Sequence, residues 1–247
     1  MLQKKHGKVD VLGVQVDCLN LNETDALIEQ MVASGQPHFV ATADTAGIAQ
    51  AQENPDLMSI YAQADLVTPD SLGVVWALKR RGKLQERITG VDLACRMMER
   101  GSTHGWTFFF LGAAPGVAAL ASEKAMERWP GLKVVGARDG FFKPEQDEEV
   151  AAEIAKLNPD FLLVAMGIPR QEQFILKTKH IIKARVAIGV GGTLDVLSGT
   201  VKRAPVIIQK LKLEWLWRTL ANPKKISKAA NLPRFVMYEL KSKRGKA

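Results

Sequence analysis

Two runs, WTFFFLG at 106–112 and FLLVAMG at 161–167, are apolar at consecutive positions rather than at alternate ones. Successive side chains of a strand point to opposite faces, so a strand of this kind is covered on both sides, as in a parallel sheet sandwiched between helices. Five further segments are strand-like, several of them also continuously apolar: VDVLGVQVDCL (9–19), HFVAT (38–42), DLVT (65–68), LKVVG (132–136) and RVAIGVGG (185–192). Gly13 within the first suits a hairpin turn. Amphipathic stretches with helix start and stop signals lie between them. Residues 22–35 carry polar capping residues in front and Gly35 behind. Residues 115–131 open on Pro115 and close on Pro130-Gly131, and residues 144–160 load acids into their first turn. The alternation predicts an α/β protein with a Rossmann-like, mostly parallel, doubly wound sheet and an N-terminal hairpin.

At 247 residues and 47% hydrophobic, the chain can bury one substantial core. The net charge of +8 is unevenly placed. Residues 201–247 hold thirteen Lys/Arg and two acids, a charge of +11, which leaves −3 for residues 1–200. A nearly neutral body at 1–200 and a basic, helical appendage at 201–247 are expected, and such an appendage suits a polyanion. Within it Ile208, Leu211 and Trp215 follow helical spacing, while Lys210 and Arg218 point elsewhere. Two readings stay open for its faces: tryptophans packed on the core, or an amphipathic cationic element at a membrane surface. Pro223 and Pro233 are expected to break it into short pieces. Cys18 and Cys95 offer no disulfide framework and read as two buried thiols. The N-terminus has no signal-peptide pattern, and no segment approaches the ~20 apolar residues of a bilayer span, so a reducing, cytoplasmic setting is expected.

In a doubly wound sheet ligands bind beyond the carboxyl ends of the strands. There the chain reads ADTAG (43–47), PDSLG (69–73), LGAAPG (111–116), GIPRQEQ (167–173) and GGTLD (191–195). Glycines let backbone amides approach a phosphate, or simply end strands; together, so many on one rim favour a nucleotide-sized ligand. Asp70 admits two roles: cap of the helix that follows, or base taking a proton from a hydroxyl. No G-x-G-x-x-G stands in its proper place, which weakens a nucleotide-binding oxidoreductase, and a nucleic-acid-binding reading rests on the basic tail alone. The four histidines are scattered, and G-x-S-x-G and D-x-D are absent, so no metal site or cofactor is expected. A departing diphosphate would be met by backbone amides and by Arg or Lys.

The segments VATADTAGIAQAQENPDL, ADLVTPDSLGVVWALK, ERITGVDL, FFFLGAAPGV, GIPRQEQF, IGVGGTLDVLSGTVKRAP and KLEWLWR resemble the WecG/TagA/CpsF family of bacterial glycosyltransferases, TagA-like N-acetylmannosaminyltransferases among them, from about residue 9 to about residue 235. The resemblance implies an inverting, metal-independent transfer of a hexose or N-acetylhexosamine from a UDP-sugar to a polyprenyl-diphosphate-linked saccharide. It places that reaction on the cytoplasmic membrane face, in the synthesis of teichoic acid or other surface polysaccharide. It also implies an anionic membrane surface as partner, a homo-oligomer, and no nucleic acid. By the same resemblance Asp70 is the general base and Thr42 a catalytic or acceptor-positioning residue. Gln171 lies near the donor sugar, Asp195 with Gly192 beside the nucleoside, and Arg203 and Arg218 near the diphosphate. The chain departs from the family pattern at five positions. Asp44 stands in place of asparagine, Ser71 in place of glycine, Arg170 in place of lysine, and Lys225 and Lys228 in place of arginines. Asp44 puts a second acid near the donor, and lysine keeps charge without arginine's bidentate fork.

Overall fold

The computed structural model describes residues 7–201 and 231–242. Six strands, β3 (His38–Ala43), β4 (Leu66–Pro69), β5 (Thr107–Gly112), β6 (Lys133–Arg138), β7 (Phe161–Ala165) and β8 (Val186–Gly189), form one sheet in the order β4-β3-β8-β7-β5-β6. Every pairing in it is parallel. The expected hairpin is present as β1 (Lys8–Val11) and β2 (Val14–Asp17), turned at Leu12 and Gly13, both at positive φ (55° and 88°). Two positive φ values are what a two-residue turn needs to follow strand twist. The hairpin is fastened to the edge strand by the buried Asp17 carboxylate, which accepts from the Val67 amide at 2.8 Å.

The continuous apolar runs are explained by two cores, one on each face. Phe109, Leu111, Leu162 and Val164 face a core closed by α2 (Thr45–Ala51), α3 (Pro55–Ala62), α4 (Leu72–Arg80), α7 (Asp147–Leu157), α8 (Arg170–Ile182) and the hairpin. Their neighbours Phe108, Phe110, Phe161 and Leu163 face the other, closed by α1 (Leu21–Ser34), α5 (Gly90–His104), α6 (Val117–Arg128) and α9 (Thr193–Leu197). Helix ends follow the sequence signals: Asn20 and Glu23 cap α1 reciprocally, and Gly35 ends it in the left-handed region.

The chain leaves β5 outward to β6 but leaves β7 inward to β8, so these neighbours part at their carboxyl ends. Strands β3 and β8 part likewise, leading to α2 and α9 on opposite faces. Such divergences open a crevice at the carboxyl rim.

The last described segment forms α10 (Asn231–Ser242), packed on α2 and α4. Phe235 is fully buried, and the buried Glu239 carboxylate receives both arms of Arg81, one at 3.0 Å. Pro233, expected to break the tail, stands instead in the first turn of this helix. The amides of a first turn have no intrahelical acceptor, so proline is tolerated there. Pro223, the Ile208–Trp215 helix and the rest of 202–230 lie outside the described residues. Cys18 and Cys95 are half-buried rather than fully buried and are not joined in a disulfide, and burial still raises the Cys18 thiol's pKa. Among the described residues no helix is long and apolar enough to cross a membrane.

Because Phe235 fills the core beneath α10, Phe235→Ala is expected to cost about 3–5 kcal/mol, read by urea denaturation. Stability within about 0.5 kcal/mol of the parent would show that α10 is not part of the cooperative fold.

Candidate active site

Strands β3 and β4 run in register from Val40↔Leu66 to Ala43↔Pro69, and the Asp70 amide extends the ladder by donating to the Ala43 carbonyl at 2.9 Å. Asp44 and Asp70 therefore stand side by side at the ends of adjacent strands, each just before a helix. Asp44 caps α2, its Oδ1 accepting from the Gly47 amide at 2.7 Å. The cap of α4 is not Asp70 but Ser71, whose Oγ accepts from the Val74 amide at 3.4 Å and the Thr45 amide at 3.1 Å. Ser71 thereby joins the first turns of α2 and α4. These turns approach so closely that a Cβ on Gly73 would overlap the Thr45 methyl. With α4 capped by its neighbour, the half-buried Asp70 turns to the start of α5 and accepts from the Gly90 amide at 3.3 Å.

Thr42 is buried, and its hydroxyl donates to the Gly189 carbonyl at 2.7 Å, closing the gap where β3 and β8 diverge. Gln171 is also buried and braces the two loops after β7 and β8. Its Oε1 accepts from the Gly167 and Gly191 amides, each at 3.1 Å, and its Nε2 donates to Glu172 at 2.7 Å. Arg170 follows a cis Ile168–Pro169 bond and turns away from the rim. Its guanidinium pairs with the buried Asp147 of α7 and lies 5.1 Å from the Phe142 ring and 5.8 Å from that of Phe174. Gly192 precedes α9, and the half-buried Asp195 carboxylate lies 3.6 Å from where a Cβ on Gly192 would stand. Arg203, Arg218, Lys225 and Lys228 lie outside the described residues.

Two rim residues escaped the sequence reading. Tyr61 of α3 is 2% exposed, and its hydroxyl has no hydrogen-bond partner among the described residues. It rests against Gly47, where a Cβ would overlap it and would lie 2.9 Å from the Ile168 side chain and 3.4 Å from Asp44 Oδ1. Burial first, and then the carboxylates of Glu172, Asp44 and Asp70, hold its pKa well above the ordinary value. The second is Glu172 itself, fully buried beside Gln171. Tyr61 stands in a helix-like stretch with no motif, so only the fold marks it, whereas Glu172 lies within GIPRQEQF, where the sequence reading gave a role to Gln171 and none to the glutamate. The rim thus brings Asp44, Asp70 and Glu172 near one buried phenol, with Thr42 and Gln171 bracing the adjoining strand ends. Among the described residues no three His, Cys, Asp or Glu side chains converge to hold a metal ion.

Tyr61 and Tyr238 are the two tyrosines, and both are shifted upward, Tyr238 chiefly by its bond to Glu53. A raised phenol contributes stability below its unfolded value near 10.0 and loses it as pH rises further. Ultraviolet titration is expected to show little phenolate in the native protein at pH 10, with Tyr61 ionising only as the fold opens. Tyr61→Phe removes a buried hydroxyl without a partner and is expected to leave the melting temperature unchanged or higher. A substantial loss of stability would contradict that environment.

A sequence model of the glycosyl transferase WecG/TagA/CpsF family matches residues 9–247 of this chain. An N-acetylglucosaminyldiphosphoundecaprenol N-acetyl-beta-D-mannosaminyltransferase of Bacillus spizizenii is 39% identical to it over 210 residues, 85% of this chain and 81% of the relative. A family match over nearly the whole chain, a relative of 39% identity and a parallel sheet with a polar rim agree: the chain belongs to the WecG/TagA/CpsF family of glycosyltransferases.

Proposed function

We propose that this glycosyltransferase moves an N-acetylmannosamine-type sugar from a UDP-sugar to a polyprenyl-diphosphate-linked saccharide, with inversion, in the synthesis of a cell-surface polysaccharide. The relative's own name describes such a donor sugar and lipid acceptor. The observation that carries the mechanism is the transfer of the α4 cap from Asp70 to Ser71. It leaves the Asp70 carboxylate at the strand end, facing the first turn of α5 through the Gly90 amide, where an acceptor hydroxyl can be met.

In this mechanism Asp70 takes the proton of the acceptor hydroxyl as the oxygen attacks the anomeric carbon from the face opposite UDP. Gly192 and Asp195 lie where the nucleoside enters. The rim amides and the tail residues Arg203, Arg218, Lys225 and Lys228 meet the charge of the departing diphosphate. Thr42 and Gln171 act as positioning residues, because their polar groups already hold strand and loop backbones together. Arg170 serves through its pair with Asp147, which anchors the start of α8. Residues 1–200 form the catalytic body, and 201–247 a basic appendage that brings it to an anionic cytoplasmic membrane surface as a peripheral protein.

General-base help is worth about 10²–10⁴-fold, so Asp70→Asn is expected to lose that much kcat in a UDP-release assay while retaining fold and UDP affinity. A near-parental rate would remove Asp70 from the base's role. Replacing Lys225 and Lys228 with glutamine is expected to lower pelleting with anionic vesicles, by about 1 kcal/mol of binding per charge at low salt. Unchanged pelleting would place membrane contact elsewhere.

A further inference from the structure

We infer that Asp44 is a specificity-determining residue that restricts the donor to a sugar without a negative charge, rejecting a hexuronate in favour of a neutral hexose or N-acetylhexosamine. This rests on the glycosyl-transfer reading and assigns the substrate class of the same rim.

Three observations carry it. The Asp70 amide bonds to the Ala43 carbonyl at 2.9 Å, so the residue next to Ala43, Asp44, shares one edge of the rim with the proposed base. The Asp44 carboxylate accepts from the Gly47 amide and, among the described residues, is paired with no cation. The buried Tyr61 hydroxyl lies under the same point of the rim, within the fields of Asp44, Asp70 and Glu172. That phenol stays neutral and adds no charge to set against them.

The sugar's chemistry does the rest. A pyranose whose anomeric carbon faces Asp70 carries its C6 group across the ring oxygen, a few ångströms away. In a hexuronate that group is a carboxylate, brought against an acidic edge in a partly desolvated site, where charge–charge repulsion is weakly screened. In a neutral hexose it is a hydroxyl, which can donate to a carboxylate instead of repelling it.

The test measures the affinity of the full-length protein for UDP, a neutral UDP-N-acetylhexosamine and a UDP-hexuronate by calorimetry. The parent is expected to bind the neutral donor at least about tenfold more tightly than the hexuronate. Asp44→Asn, which keeps a good helix cap, and Asp44→Ser, a second capping residue, are each expected to narrow that ratio several-fold. Equal affinity of the parent for the two sugars, or a ratio unmoved in both folded variants, would overturn the inference while leaving glycosyl transfer standing. Absence of binding to UDP itself would overturn the glycosyl-transfer reading and the inference together.

Discussion

A parallel sheet buried on both faces leaves the chain one place for polar chemistry, the rim at the strand ends. Every inward-facing position of β5, β7 and β8 is needed for the two cores, and Phe108 and Phe161 stack at 4.8 Å in one of them. Polar side chains placed there would have to be desolvated without partners, at a cost of about 1–3 kcal/mol each. The polar residues therefore collect where strands end and helices begin. Backbone amides of the starting helices are the natural partners for their carboxylates.

On that rim, residues that brace are distinct from residues that can react. Thr42 ties β3 to β8, Gln171 ties the loop after β7 to the loop after β8, and Ser71 ties α2 to α4. Each holds together elements that the diverging connections would otherwise let part. Asp44 and Asp70 stand at the ends of adjacent strands within that frame, Asp44 accepting from the Gly47 amide and Asp70 from the Gly90 amide. Rigid support around a reacting group is what a bound near-attack geometry requires.

The tail shows how a strongly basic segment can also be structural. Glu239, one of two acids among its residues, is buried against Arg81, and Phe235 is buried beside it, so the end of the appendage is anchored to α4. Helix α4 begins immediately after Asp70 and Ser71. The last described helix thus packs along α4 from Gly73, where Leu232 and Phe235 approach, to Arg81, and so reaches the turn that holds the proposed base.

The strands, the hairpin turn, most helix ends and the doubly wound class were legible in the sequence, because periodicity, capping residues and glycine signals are local. The rim loops were legible too, since each follows a strand. What each rim side chain does was not. Asp70 read as either cap or base, and the cap of α4 proved to be Ser71, which also joins α2 to α4 through the Thr45 amide, 26 positions away. Arg170 read as a rim cation until α7 supplied Asp147, 23 positions away, as its partner. Tyr61 carried no motif at all and became a rim residue only because α3 packs under α2. The sequence by itself determined a two-faced parallel sheet with its polar residues at the strand ends. Tertiary structure alone decided which of those residues hold the frame, because hydrogen-bond partners are set by contacts between elements that local sequence does not encode.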